Sequence, residues 1–264
     1  MDLKTIKTLN KLNTSFYEKV ADDFDKSRQQ PWQGWQIAFE NEAVTRCKSV
    51  IDICCGNGRF AKFASKQGIR TYLGLDSNSS LLKQAQVLAP EFQYFKLKNI
   101  DVISTLIGES IHAFPTSEIK SDVFESPKLF VLFGVMHHIP SFELRKKVLN
   151  LFSELMTNDD ILVISCWQFT KIPSLMKRVV TEKKLGLESL ENIASEQLEE
   201  HDYILDWQRG KQAYRYCHLV TENEANMLIE NTQIEIKKQW DSDGKTNNLN
   251  TYYILQKKQY NDPL

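Results

Sequence analysis

An acid, a tight turn of small residues and a second acid stand in this chain at a spacing that suits a nucleoside. The run Ser49-Val50-Ile51-Asp52-Ile53-Cys54-Cys55-Gly56-Asn57-Gly58-Arg59-Phe60 is an apolar strand ending in an acid, then a turn, then a helical pattern. Asp76 closes a second apolar run, Tyr72-Leu73-Gly74-Leu75-Asp76, about twenty residues further on, which is the layout of a nucleotide-binding βαβ unit. Gly56 and Gly58 let the backbone turn tightly and approach a ligand, and the acid ending the second strand can accept hydrogen bonds from two ribose hydroxyls. A dinucleotide site would read G-x-G-x-x-G, with a helix N-terminus aimed at a pyrophosphate. Here the order is D-x-x-x-G-x-G, and an acid before the turn suits a cationic ligand better than a phosphate. A second candidate is the pair His137-His138 after the apolar run Leu129 to Phe133. Paired histidines can hold a metal, but nothing nearby in sequence completes a site, so no metal is expected.

These groups need a scaffold, and hydrophobic periodicity supplies one. Residues 1–45 read as helical and partly amphipathic, with Phe16, Tyr17, Val20 and Phe24 along one face. Strands are expected at 49–54, 71–76, 92–97, 129–133 and 161–167. Helices fall between them, including one carrying Leu144, Val148, Leu151, Phe152 and Leu155. Thr221-Glu222-Asn223-Glu224 reads as a capping box that opens a helix to about Asn231. Two runs, 234–240 and 251–255, look like a closing antiparallel pair. Alternating strands and helices imply an α/β fold with a doubly wound, mostly parallel sheet, whose ligands bind outside the carboxyl ends of the strands. The segment 170–212 is charged and breaks the alternation. We expect one domain over 1–264, with residues 1–45 as a helical lid and 170–218 as a cap inserted after the fifth strand.

Composition narrows the function classes. Of the 264 residues, 42% are hydrophobic, enough for a packed core, and the formal net charge is -1. No global field therefore draws the chain to nucleic acid or membrane, although a local basic patch could still serve. The start Met1-Asp2-Leu3-Lys4-Thr5 is not a signal peptide, and no apolar run could span a bilayer. Five cysteines, an odd number, point to reduced thiols and a cytoplasmic location. Cys54 and Cys55 are adjacent and lack metal-ligand spacing.

The D-x-x-x-G-x-G segment resembles the first motif of class I S-adenosylmethionine-dependent methyltransferases, whose sheet has seven strands with the last antiparallel. Cys54 stands where that motif has its first glycine and is expected to fit with a negative φ. Two further stretches are similar to the tRNA wobble-uridine carboxymethyl methyltransferases. Phe16-Tyr17-Glu18-Lys19-Val20-Ala21 through Ser27-Arg28-Gln29-Gln30-Pro31-Trp32 resembles their Y-x-x-I-A-x-x-F-x-x-T-R-x-x-P-W entry. Leu205-Asp206-Trp207 with Arg215-Tyr216-Cys217-His218 resembles their later V-P-W and R-Y-Y-H. Arg28, Trp32, Arg215 and His218 match position by position, whereas Ser27, Leu205-Asp206 and Cys217 depart from the pattern.

The resemblance implies methyl transfer from S-adenosylmethionine to the carboxylate of 5-carboxymethyluridine in a tRNA anticodon loop. It implies a cofactor site of Arg28, Asp52, Cys54, Gly56, Gly58, Asp76, Asn99, Ile100, Asp101 and Phe133, with either Asn99 or Asp101 meeting the adenine amino group. Arg215, His218 and His138 would stand at the reacting group, and Trp32, Trp207 and Tyr216 would meet the substrate base. By its charges the segment 170–212 is either a solvated helical cap or a cap over the pocket whose basic residues, Lys171, Lys177, Arg178, Lys183, Lys184, Arg209 and Lys211, meet phosphates. Relatives of this family also work with a small zinc-containing protein subunit. Two other readings remain open at this point: a methyltransferase for a small metabolite, and a catalytically silent binding module of the same fold.

Overall fold

The computed structural model describes residues 1–108, 114–181, 193, 195–207, 212–230 and 232–259. Seven strands form one sheet in the order β3-β2-β1-β4-β5-β9-β8. They are β1 Ser49–Ile53, β2 Thr71–Asp76, β3 Tyr94–Asn99, β4 Lys128–Leu132, β5 Ile161–Trp167, β8 Ile234–Ser242 and β9 Asn250–Lys257. Strands β1 to β5 pair in parallel, and β9 runs antiparallel to both β5 and β8. Central strands β1 and β4 are buried along their whole length, as expected where helices cover both faces of a parallel sheet. Successive residues serve opposite faces. Ile51, Phe130 and Leu162 join one cluster with Val148, Phe152 and Leu228, while Val50, Leu129 and Val163 join another with Trp35, Phe60 and Ala61. The winding reverses between β1 and β4, so a crevice opens above their carboxyl ends. The expected seven-stranded α/β sheet is present.

Three differences from the sequence reading bear on the site. First, the helical residues 1–45 divide into three helices whose breaks the sequence reading does not place: α1 Leu3–Ser27, α2 Gln33–Phe39 and α3 Glu42–Arg46. Asp2 caps α1 by accepting from the Thr5 N–H at 2.7 Å. Gln30 precedes Pro31, and that restriction keeps the stretch between α1 and α2 out of the helical region. Second, β3 starts two residues late, because a short 3-10 helix, Gln86–Glu91, with Pro90 inside it occupies the approach. Third, the charged segment contains an antiparallel hairpin, β6 Asp202–Asp206 and β7 Tyr214–His218, which forms a second sheet. Its alternation was hidden because Asp202, Arg215 and His218 are ionisable yet turned inward. Lys183, Lys184, Arg209 and Lys211 lie outside the described residues.

The hairpin is seated against α1. Leu9 packs with Ile204 and Tyr216, and Phe16 and Val20 pack with Trp207 and Ala213. No helix among the described residues is long and apolar enough to cross a membrane.

Candidate functional site

A cavity of about 660 Å³ opens above the carboxyl ends of β1, β2, β4 and β5. Its walls come from those strand ends, from α1 with the strap Arg28–Trp32, and from Arg215 on the hairpin. That volume lies within the usual range for small-molecule sites.

The carboxylate of Asp76 sits at the end of β2. It accepts the Gly56 N–H on one oxygen and the Asn78 N–H on the other, both at 2.8 Å. Each oxygen keeps a further lone pair for a hydroxyl of a ligand. Burial raises the Asp76 pKa, against the two backbone donors that lower it. Gly56 has φ +57°, and a Cβ built there meets nothing within 4 Å, so the turn presents bare backbone to open space. Gly58 does not line the cavity. Its φ is +74°, and a Cβ would come within 2.8 Å of Ala85, so it lets the turn pack on helix α5, Ser79–Ala85. Cys54 corrects an expectation: it lines the cavity with φ +58°, not a negative angle. A side chain in this region costs about 1–2 kcal/mol. Burial pushes the Cys54 thiol well above its ordinary pKa.

Asp52 lies beneath the turn, outside the cavity lining. It accepts the Tyr72 hydroxyl at 2.5 Å, and burial lifts its pKa to about 7 against that bond. After β3, Ile100 and Asp101 line the cavity, whereas Asn99 turns its amide to the Ser77 carbonyl at 2.9 Å. The Ile100 N–H is held by the Asp76 carbonyl at 2.9 Å and is not free for a ring nitrogen. Asp101 caps the next helix, α6 Val102–Ile107, and also accepts from Asn10 of α1 at 2.9 Å.

On the opposite wall Arg215 is only 9% exposed. Its guanidinium rests 4.8 Å from the Trp167 ring and 5.2 Å from the Phe16 ring. No carboxylate pairs with it among the described residues. Beside it the Tyr17 hydroxyl and His138 Nε2 are 2.7 Å apart. His138 Nδ1 lies 2.9 Å from the Tyr216 carbonyl. A carbonyl only accepts, so Nδ1 carries the proton and Nε2 accepts from Tyr17. Asn13 fixes the same corner by accepting the Tyr216 N–H at 2.8 Å. Burial, then the Arg215 charge, press the His138 pKa down to about 3. Burial, then His138 and Arg215, hold His137 well below its ordinary value. Both imidazoles are therefore neutral at neutral pH.

Three expected site residues lie elsewhere. His218 is buried between two acids, with Asp202 at 2.7 Å on Nδ1 and Glu224 at 2.6 Å on Nε2. Burial lowers its pKa, but the two carboxylates outweigh that and hold it above the ordinary value. Tyr216 is buried, and its hydroxyl donates to Asp202 at 2.6 Å. Trp207 is buried edge-on against Phe16. None of the three lines the cavity, so none is placed to meet a substrate base. Of the cap cations, Lys171 pairs with Asp241 at 3.4 Å, and none of those described lines the cavity. Arg28, Trp32 and Phe133 do line it.

The fold also brings Cys217 to the histidine pair, a third potential ligand that sequence proximity could not reveal. His138 already uses both ring nitrogens, and burial raises the Cys217 thiol to about 12. The trio therefore fits a packed core better than a metal. Glu199, Asp202 and His218 also approach one another, but the Arg145 guanidinium already serves Glu199.

Sequence reasoning missed Arg59, Tyr17 and Trp167 as wall residues. A cation directly after an acid-bearing glycine turn was the available signal for Arg59. Tyr17 was visible as one of an apolar stripe and as the tyrosine of the Y-x-x-I-A-like stretch, neither of which placed it at the cavity.

No family model matches the chain. A Synechocystis protein described as an uncharacterized methyltransferase is 32% identical over 59 residues, which is 22% of this chain and 27% of that protein. The chain thus spans only about a quarter of that relative's length. Among solved structures, an S-adenosylmethionine-dependent methyltransferase from Clostridium acetobutylicum superposes with TM-score 0.59 at 12% identity, covering 92% of this chain and 99% of that one. Magnesium protoporphyrin IX methyltransferase from Synechocystis, with bound S-adenosylmethionine, gives TM-score 0.51 at 12% identity over 98% of each chain. CcbJ methyltransferase from Streptomyces caelestis gives 0.54 at 12% identity, over 98% of this chain and 100% of its own. The fold is that of the class I methyltransferases.

Proposed function

We propose that this chain is an S-adenosylmethionine-dependent methyltransferase that esterifies a carboxylate. The observation that carries the reading is one cavity with two unlike walls. Asp76 and the bare Gly56 backbone stand on one side, and on the other Arg215, buried beside Tyr17 and without a carboxylate partner among the described residues.

The residues fit the cofactor. Asp76 has spare lone pairs for ribose hydroxyls, the Gly56 turn leaves room for the methionine half, and the acids on that wall suit a sulfonium. When bound, the cofactor supplies an electrophilic methyl group. The protein must align a nucleophile and keep water out, and α1 with the strap covers the cavity for that purpose. A hydroxyl or amine acceptor would want a base with a pKa near the working pH. The histidines here are poor bases, because burial and Arg215 hold them far below that range. A carboxylate needs no base, since its ordinary pKa is about 4. Arg215 can hold such an anion by charge-assisted hydrogen bonds. Tyr17 at its side leaves less of the guanidinium for a two-oxygen grip, so one oxygen stays free to attack.

A small carboxylic acid suits the volume of the cavity. A second acceptor, the 5-carboxymethyluridine of a tRNA wobble position, is favoured by one observation: Arg28 and Trp32 share the cavity with Arg215. The test is transfer from methyl-labelled cofactor to two pools, bulk tRNA from cells lacking the enzyme and a low-molecular-weight extract. The reading expects label released as methanol by mild alkali, as an ester would release it. Alkali-stable label would refute carboxylate transfer. The labelled pool decides between the two acceptors.

A further inference from the structure

Arg59 poses a question that the proposed reaction does not answer. It is the first residue of helix α4, Arg59–Ser65, immediately beyond the Gly56-Asn57-Gly58 turn, and it lines the cavity. Its guanidinium lies 4.6 Å from the Trp32 ring and 5.1 Å from the Trp35 ring. Its one hydrogen bond to protein in the described structure goes from Nη1 to the Gln30 carbonyl at 3.3 Å. Among the described residues no carboxylate forms an ion pair with it. Arg28, another cation on the same wall, opposes its charge, and the more weakly acting Asp243 carboxylate favours it. Burial, then Arg28, pull the Arg59 pKa down to about 10. The neighbouring carboxylate Asp25 is already engaged by Asn57 at 2.7 Å and Gln29 at 3.0 Å. A half-buried cation beside a like charge and a cavity gains when an anion arrives.

We infer that Arg59, with Arg28 beside it, forms a second anion pole in the cavity, separate from Arg215, and that it takes the α-carboxylate of the cofactor's methionine half. The inference rests on the proposed cofactor. The turn 56–58 runs from the Asp76 carboxylate, bonded to Gly56, to Arg59. A ligand with its ribose at Asp76 and its amino-acid half along that turn would deliver its carboxylate to the Arg59 end. Trp32 and Trp35 fix the guanidinium plane by stacking, and the Gln30 carbonyl ties it to the strap. Carboxylate binding at this pole would therefore also hold the strap closed.

Two nucleosides separate this role from general packing. S-adenosylhomocysteine carries the carboxylate, and 5′-methylthioadenosine shares the nucleoside and thioether but lacks it. Calorimetry on the full chain should show Arg59→Gln weakening S-adenosylhomocysteine by about 10- to 100-fold, the scale of a lost hydrogen bond to a charged group. Methylthioadenosine should bind the variant within about two-fold of wild type, which also reports an intact fold. Arg59→Lys should restore only part of the loss, because an ammonium lacks the planar fork. Equal weakening of both nucleosides, or no weakening of either, would overturn the assignment. If wild-type protein bound neither nucleoside, the cofactor reading itself would fall, and this inference with it.

Discussion

Two buried arginines on the cap side of the molecule meet opposite conditions. Arg145, on helix α8 Phe142–Leu155, donates to Glu224 at 2.7 Å, to the Ile139 carbonyl at 2.9 Å and to Glu199 at 3.0 Å. Glu224 then holds His218, His218 holds Asp202, and Asp202 holds Tyr216. Every charge in that chain has a partner. Arg215, on the same hairpin as His218, has aromatic rings and open space instead. Both are almost inaccessible, so burial does not tell them apart. What distinguishes them is unused bonding capacity. A saturated cluster is scaffold, and a group left with capacity facing a cavity is where a ligand can contribute energy.

Removing Arg145 should have the largest effect. Arg145→Ala takes the cation from Glu224 and Glu199, leaving them only His218 and the Phe142 N–H, and should cost about 3–5 kcal/mol of stability, read by urea denaturation. If stability were unchanged, the cluster would not be scaffold and the contrast would fail.

Arg215→Ala should do the reverse. Folding should be nearly unaffected, because no buried acid is orphaned, while methyl transfer should fall by about 100-fold or more. Affinity for S-adenosylhomocysteine should stay near wild type. A large loss of stability with transfer rate intact would place Arg215 with the scaffold.

A smaller effect is expected from pH. The folded pKa of His218 is raised above its ordinary value near 6.5, so its contribution is complete below that pH and is lost as pH rises through the folded value. The folded pKa of Glu224 is lowered, so its contribution holds above the ordinary value near 4.5 and is lost as pH falls through the folded one. The melting temperature should therefore be highest in mild acid and decline toward alkaline pH. His218→Gln should flatten the alkaline decline. Neutral His138, by contrast, should give transfer no single-histidine step between about pH 6 and 8. A step there would sharpen attention on a base-dependent acceptor.

The smallest effect concerns the other wall. Cys54→Gly removes a side chain held at φ +58° and should raise stability by up to about 1 kcal/mol, with cofactor affinity retained. A destabilised glycine variant would mean that the thiol's packing outweighs the backbone strain.

The same contrast explains what was legible in the sequence. The sheet and the Asp76 wall are built from contiguous strands and a local turn, so period-two runs, an acid and two glycines reveal them. The Cys54 backbone angle escaped, because residue type does not report φ at a turn, and so did the placing of Asp52, Gly58 and Asn99 outside the cavity lining and of Arg59 within it. The Arg215 wall comes from residues on α1, β5 and β7 that meet only after folding. Nothing in Tyr214 to His218 shows that Arg215 turns to a cavity while His218 turns to Asp202 and Glu224, though they lie three positions apart. Family-like spacing marked both residues, and partner geometry separates them.

The seat of α1 has a further consequence. Asn13 holds the Tyr216 backbone across 203 positions of chain, so the cover over the cavity is made well before its anchor. During synthesis the Asp76 turn can form early, but the chamber cannot close until the hairpin has emerged. Contacts of such sequence separation form late and slowly. Until then Phe16 and Val20 have no hairpin to pack on, so the nascent chain carries an exposed apolar stripe on α1. That interval is when the protein is most open to chaperone capture or misassembly.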